Sequence, residues 1–389
     1  MSVAEWMSTL AVAAAAVACG GGGSGGEDTA VPSQPGGGAA APTLQTLNNG
    51  LDRPWGLAQL PDGRLLVTQK GGAIVRLSAT GRTEATLSGL PPVLDSGQGG
   101  LLGIAIDPDF GTAGSNWVYF AYAEAGSGSE AGKAGTTVAR GRLEGDALTG
   151  VQVIFRQAPK VDGSGHYGSR LVFARDKTLY ITTGERMKGS PSQDLQQTLG
   201  KVIRVNRDGG IPSDNPSFAG GARPGIWSYG HRNIQGAVLH PQTGELWITE
   251  HGPQGGDELN IARAGKNYGW PVKSYGCPYG SPVGDACRIG GGTHAPTYVE
   301  PLTTWTPISV APAGLVFYTG SMFPEWRGQL ISGSLAGTAL WRIAINGETV
   351  TAKEKMFGDL GERFRDLIQA RDGALLIVTD GGKLMRLSR

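Results

Sequence analysis

His166, in the stretch DGSGHYGSRLVFA, has glycines close on both sides, a setting that predicts open access to its ring. An imidazole titrates near neutrality and can take a proton from a hydroxyl, so His166 is the candidate general base of this chain. Gln98 in DSGQGGLLGIA, and Arg232 with Asn233 in GHRNIQG, likewise stand just ahead of apolar runs. Arg363 and Arg365, in GERFRDLI, are spaced i, i+2, so on a strand both point to one face. Like charges side by side repel unless an anion lies between them, which points to a shared anionic ligand. Solvent exposure, or pairing with Glu362 and Asp366, is the bland alternative.

The densest polar stretch runs from Tyr229 to Trp270. It predicts a strand over Ala237 to Leu239, a Pro-Gln-Thr-Gly turn and a second strand over Leu246 to Thr249. The second strand runs into Glu250, His251, Gly252, Pro253 and the acidic pair Asp257–Glu258. Polar loops on a rigid β scaffold are common sites of function. Gly252, Gly255 and Gly256 let backbone approach a ligand, and free carbonyls there suit a hard cation. A glycine-rich turn with a solvated acidic pair is the alternative.

Other chemistries are excluded. The five histidines (His166, His231, His240, His251 and His294) show no HxxxH spacing, and no cysteine cluster exists, so a zinc site is not expected. GxSxG, GxGxxG and P-loop motifs are missing from any strand–helix context, which argues against serine-hydrolase, nicotinamide and nucleotide chemistry. His240, in an apolar strand before Pro241, reads as a packed structural residue. Net charge is +1, from 34 basic and 33 acidic residues, so no global field draws the chain to nucleic acid.

Positioning these residues calls for many short strands. The chain holds 65 glycines and 23 prolines, spread among apolar runs beyond its N-terminal segment. One pattern recurs: an apolar strand, a turn with Asp-Gly, Asp-Pro or Thr-Gly, and a second apolar strand. The copies are GLAQLPDGRLLVTQ, GIAIDPDF with NWVYFAYAE, RLVFARDKTLYITTG, AVLHPQTGELWITEHG, LVFYTG with QLISGSLAG, and LIQARDGALLIVTDGG. They start roughly 45 to 80 residues apart, a repeat stretched by inserted loops. Six antiparallel hairpins set radially predict an all-β, six-bladed β-propeller over residues 43–389, with Thr43 to Leu51 closing the ring. A β-sandwich pair is the alternative, and it does not predict six similar hairpins.

Residues 1–19 end in LAVAAAAVAC, an apolar stretch of signal-peptide length whose Ala16-Val17-Ala18-Cys19 resembles a bacterial lipobox. The expectation is export to the periplasm or beyond, with Cys19 acylated as a membrane anchor. Residues 20–42 then form a flexible Gly/Ser/Pro tether. Cys277 and Cys287, an even pair in an oxidising compartment, read as a disulfide pinning their loop; two free thiols are the alternative.

Together, GQGGLLGIAIDPDF, HYGSRLVF, GHRNIQG, TEHGPQGGDELN, NYGWP and ERFRDLI resemble the soluble glucose/sorbosone dehydrogenases that use pyrroloquinoline quinone (PQQ), in order over residues 45–389. The resemblance is strongest to the bacterial PQQ-dependent aldose sugar dehydrogenases. It implies PQQ and Ca2+ in the propeller and oxidation of an aldose at its anomeric carbon to the lactone. It implies His166 as base, Arg232 beside the quinone oxygens, and Gln98 and Asn233 as cofactor contacts, with Arg363 and Arg365 on the PQQ carboxylates. Gly252 and Pro253 would offer carbonyls to a calcium that polarises the cofactor, and Glu258 with the Tyr268 carbonyl would bind a structural one. Tyr279, in the Cys277–Cys287 loop, would lie over the site. The strand-end loop SGSLAGT, with Ser334, Leu335 and Ala336, would also touch PQQ, and Ala336 stands where relatives often carry a lysine. Electrons would pass to a separate acceptor, since no CxxCH haem motif is present. Monomer and homodimer both stay open. So do two other classes: a lactonase-type propeller hydrolase and a cofactor-free binding module.

Overall fold

The hairpin turns show why these residues fold as they do. In Leu60-Pro61-Asp62-Gly63, Gly63 N–H donates to the Leu60 carbonyl at 2.9 Å and Leu60 N–H to Arg64 at 2.8 Å. Ala370-Arg371-Asp372-Gly373 repeats the turn, with Gly373 N–H on Ala370 at 2.9 Å and Ala370 N–H on Ala374 at 2.8 Å. Both turns need a left-handed residue at the fourth position, and Gly63 and Gly373 supply it with φ of 92° and 87°. The hairpin at Ala174 uses Lys177 in that place, at φ 66°.

The computed structural model describes residues 40–389, apart from 113. The expected signal segment 1–19 with Cys19, and the tether up to residue 39, lie outside the described residues. Among the described residues, 24 strands form six four-stranded antiparallel sheets. Blades I to V span 54–86, 101–156, 171–229, 234–305 and 312–356, each a simple meander. Blade VI takes its three inner strands from 364–388 and its outermost from Thr43–Asn48, which pairs antiparallel with Leu384–Ser388. The expected closing strand therefore seals the ring by joining the chain's two ends. The first strand of every blade packs against the first strands of both neighbouring blades, so six of them line one central channel.

Both faces of a blade are covered by its neighbours. The second strands accordingly read as apolar runs, LLVT, LYIT, LWIT and LIVT, all buried. Leu57, Val67, Leu376 and Val378 pack together between blades I and VI, and Val202, Ile234 and Ile248 between III and IV. In five blades the pairing of first and second strand slips by a β-bulge at the start of the first, at Pro54/Leu57, Leu101/Ile104, Ile234/Gly236, Pro312/Leu315 and Phe364/Asp366. Bulges re-aim side chains. These sit at the end of the channel where the polar residues gather.

Candidate active site

A cavity of about 530 Å³ occupies that end of the channel. Every blade or the loop ahead of it contributes: Lys70, Gln98, Tyr167, Asn233, Leu335 and Arg365 all line it. Packed against its lining residues Trp55, Gln235 and Arg365 is an ion pair. Arg170 meets Asp366 at 2.5 Å, donates to the carbonyls of Gln235 (2.6 Å) and Arg365 (3.0 Å), and lies 4.3 Å from the ring centre of Trp55. Beyond that pair a second cavity of about 380 Å³ is lined mostly by apolar residues such as Leu57, Val238 and Phe317. Asp366 is thus spent on Arg170, and also accepts the Leu57 N–H at 3.0 Å.

His166 stands beside the upper cavity, whose wall includes its neighbours Tyr167 and Gly168. Its ring is buried, only 5% exposed, contrary to the open access predicted from the flanking glycines. The reason is Arg186, a fully buried side chain around which the loop collapses. Its guanidinium donates to the carbonyls of Gly163, Ala134 and Gly165 and to the Tyr167 hydroxyl. Gln98 Oε1 accepts the His166 N–H at 2.8 Å, and Asn233 Oδ1 accepts the Gly168 N–H at 3.2 Å. Gly97 lets the two loops touch: a Cβ there would lie 2.4 Å from Ser164 Oγ. Among the described residues, His166, Arg53 and Ala311 all hold non-glycine left-handed backbone at φ of 48°, 44° and 51°. Such backbone clusters at sites of function.

Glu185 is the partner that sequence reading missed. Its Oε1 lies 2.6 Å from His166 Nδ1 and its Oε2 accepts the Gly189 N–H at 2.7 Å. Nδ1 therefore carries the proton toward the carboxylate, and Nε2, which bonds to no described residue, is left as the basic nitrogen. Burial, with Arg232 and Arg186 adding to it, lowers the His166 pKa below the ordinary imidazole value, against the Glu185 bond that raises it. The ring is neutral at pH 7.

Arg363 and Arg365 do share one anion, but it belongs to the protein. Asp380 accepts from Arg363 Nε at 2.8 Å and from Arg365 Nε at 2.7 Å and Nη2 at 3.0 Å. Pairing with Glu362 and Asp366 is not observed; Glu362 meets Lys383 instead. Leu335 lines the cavity and its carbonyl accepts from Arg363 at 3.1 Å. Ser334 is buried with its hydroxyl on the Ala339 carbonyl, and Ala336 is exposed, so neither lines the cavity.

Asp257 and Glu258 prove to be the start of a buried strand, Asp257–Ile261, rather than a solvated turn. Leu259 and Ile261 bury it between neighbours. Asp257 accepts N–H groups of Gly252, Val310 and Ala311 at 2.7–2.9 Å, while burial pushes its pKa up to about 6. Glu258 faces Glu250 directly across the sheet. Burial first, then the Glu250 charge, push Glu258 well above the ordinary carboxylate range. A gap of about 10 Å³, the size of one ion or water, is lined by Glu250, Glu258 and Tyr268. Asn260 Oδ1 and His294 Nε2 are buried nearby without hydrogen-bond partners. No group of three or more His, Cys, Asp or Glu side chains is placed to hold a metal among the described residues.

Arg232 bridges the two regions. Its Nη1 donates to the carbonyls of His251 (3.0 Å) and Gly252 (2.7 Å), and its Nη2 to the Tyr279 hydroxyl (2.9 Å). The Pro253 carbonyl accepts from Ser309 at 3.3 Å. The carbonyls expected to meet a metal are thus held by protein donors here. Arg232 Nε is buried without a partner. Cys277 and Cys287 form the expected disulfide, and Tyr279 in that loop is 68% exposed.

Fold and site together define a six-bladed propeller that gathers positively charged side chains beside a buried histidine–glutamate pair. The chain belongs to the glucose/sorbosone dehydrogenase family, which its residues 51–386 match. It is 40% identical over 357 residues to the aldose sugar dehydrogenase YliI of Escherichia coli, covering 90% of this chain and 93% of that one. Quinoprotein glucose dehydrogenase B of Acinetobacter calcoaceticus is 26% identical over 401 residues, covering 85% and 83%. The PQQ-bound aldose sugar dehydrogenase of Streptomyces coelicolor superposes with a TM-score of 0.73 at 31% identity, covering 90% of this chain and 98% of that one.

Proposed function

We propose that this protein is a PQQ-dependent aldose dehydrogenase, which oxidises its sugar at the anomeric carbon to the lactone. The observation that carries the reading is the charge of the cavity. Arg53, Lys70, Arg363 and Arg365 line it, against Asp380 as the one lining carboxylate. A tricarboxylate such as PQQ fits that excess of positive charge and the cavity volume. The PQQ-bound relative from Streptomyces coelicolor supports the cofactor. When bound, PQQ supplies a quinone that accepts two electrons.

The chain's own residues do the rest. Arg363 and Arg365 hold carboxylates, while Gln98 and Asn233 fix the loops on which the ligand rests. Arg232 places positive charge where negative charge grows on the quinone oxygens. His166 takes the proton of the anomeric hydroxyl at Nε2, and Glu185 keeps the ring oriented through Nδ1. Calcium suits the gap lined by Glu250, Glu258 and Tyr268, where the two buried carboxylates face each other across the sheet. Gly252 and Pro253 can serve a second calcium only where Arg232 and Ser309 release their carbonyls.

The test is reconstitution. Purified protein titrated with PQQ and calcium should bind about one PQQ per chain and oxidise aldoses with an artificial dye as acceptor, yielding lactone. Absence of saturable binding, or bound PQQ without oxidation of any aldose, overturns the reading. We place the enzyme outside the cytoplasm on a lipidated Cys19, on the strength of the small-residue run before it. Mass spectrometry of the native protein should find diacylglyceryl-Cys19 at the N-terminus; a soluble chain starting elsewhere refutes the anchor.

A further inference from the structure

Lys70 is one of two cavity cations, with Arg53, that the sequence did not single out. It follows the second strand of blade I, and its backbone is clamped between two loops. Its N–H donates to the Arg53 carbonyl at 3.1 Å, and its own carbonyl accepts from Leu101 at 3.0 Å. Gly100 packs so closely that a Cβ there would lie 2.6 Å from the Lys70 oxygen. The side chain is half-buried, with Nζ on the Gly97 carbonyl at 2.6 Å.

The other cations lining the cavity each have a carboxylate: Arg53 meets Asp95 at 2.6 Å, and Arg363 and Arg365 meet Asp380. Lys70 has no carboxylate at ion-pair distance among the described residues. Desolvation lowers its pKa from the ordinary lysine value, the nearby Arg365 and Arg53 add to this, and Asp95 and Asp380 oppose it. An ammonium held in place, partly stripped of water and short of a counter-charge gains most from an incoming anion. We propose that Lys70 is a cofactor-binding residue, anchoring a carboxylate of the ligand from blade I beside the arginines of blade VI. The inference rests on the reading that the ligand is PQQ.

The experiment is an equilibrium titration of calcium-loaded protein with PQQ, followed by quenching of tryptophan fluorescence, to which Trp55 in the cavity wall contributes. Wild type, Lys70→Met, Lys70→Gln, Lys70→Arg and Arg365→Ala are compared at low and high salt. Lys70→Gln keeps a donor for the Gly97 carbonyl and stands in for Lys70→Met should that variant not fold. Loss of one charge-assisted contact predicts a Kd about tenfold higher for Lys70→Met and Lys70→Gln, with Lys70→Arg close to wild type. The gap should narrow at high salt, because screening weakens a partly exposed charge contact. A Kd unchanged by the loss of Lys70, while Arg365→Ala binds more weakly, overturns the proposal. So does a loss that is independent of salt and not rescued by arginine, which would make Lys70 a prop for the Gly97 loop. No saturable binding by wild type overturns the PQQ reading itself, and this inference with it.

Discussion

Blades III and IV carry the same device with different outcomes. In each, a histidine follows a glycine ahead of the first strand and pairs through Nδ1 with a glutamate 19 residues later: His166 with Glu185 at 2.6 Å, His231 with Glu250 at 2.9 Å. In each, the second carboxylate oxygen holds a backbone N–H, of Gly189 or of Arg232. The difference lies at the other ring nitrogen. His231 Nε2 is bonded to Ser228 Oγ at 2.9 Å and its ring stacks on Tyr268 at 4.5 Å, so both nitrogens are used and the ring is sealed. His166 Nε2 bonds to no described residue. On the proposed mechanism, a His–Glu pair serves as a structural strut or as a proton acceptor according to what its second nitrogen meets.

The largest expected effect separates the two pairs. His166→Ala should cut kcat at saturating PQQ by roughly 100-fold or more, the scale of a lost general base, and, because it leaves buried Glu185 short of a partner, should also lower the melting temperature by a few degrees. His231→Ala should cost stability without the kinetic loss. It leaves Ser228 and Glu250 short of buried partners, a cost of about 1–3 kcal/mol, and lowers the melting temperature by several degrees while kcat holds within about threefold. Thermal unfolding and steady-state kinetics on both variants check the pair; equal kinetic losses would erase the distinction.

Much of the fold and part of the site are readable in the sequence, for physical reasons. The six hairpins show because turn chemistry is local, and Thr43 to Leu51 shows as a closing strand because a propeller must hide its last edge. His166, Gln98, Asn233, Arg363 and Arg365 show because polar residues ahead of apolar strands have no packing role. Glu185 and Asp380 did not show, since their roles depend on contacts across 15 to 19 residues of chain. The 19-residue spacing shared with His231 and Glu250 was the available signal for Glu185. The closed setting of His166 is not legible because Arg186, which draws the loop together around itself, lies 20 positions further along. The strand Asp257–Ile261 is not legible in the polar loop expected there because the glycines before it hide the alternation of Leu259 and Ile261 that marks a strand.

The smaller and sharper test rests on Glu185. Its bond raises the His166 pKa against burial and Arg232. A base works only when unprotonated, so kcat should fall on the acid side, at a pH below the ordinary histidine value of about 6.5. Removing a group that raises the pKa must move that fall to still lower pH. The measurement is kcat against pH, at saturating PQQ and aldose, for wild type and Glu185→Gln. The account predicts kcat roughly 10- to 100-fold lower in the variant, the usual cost of losing a group that orients a reacting histidine, and an acid limb displaced toward lower pH. An acid limb that stays where it was would show that the titrating group is not His166, and that the blade III pair is no more catalytic than its counterpart in blade IV.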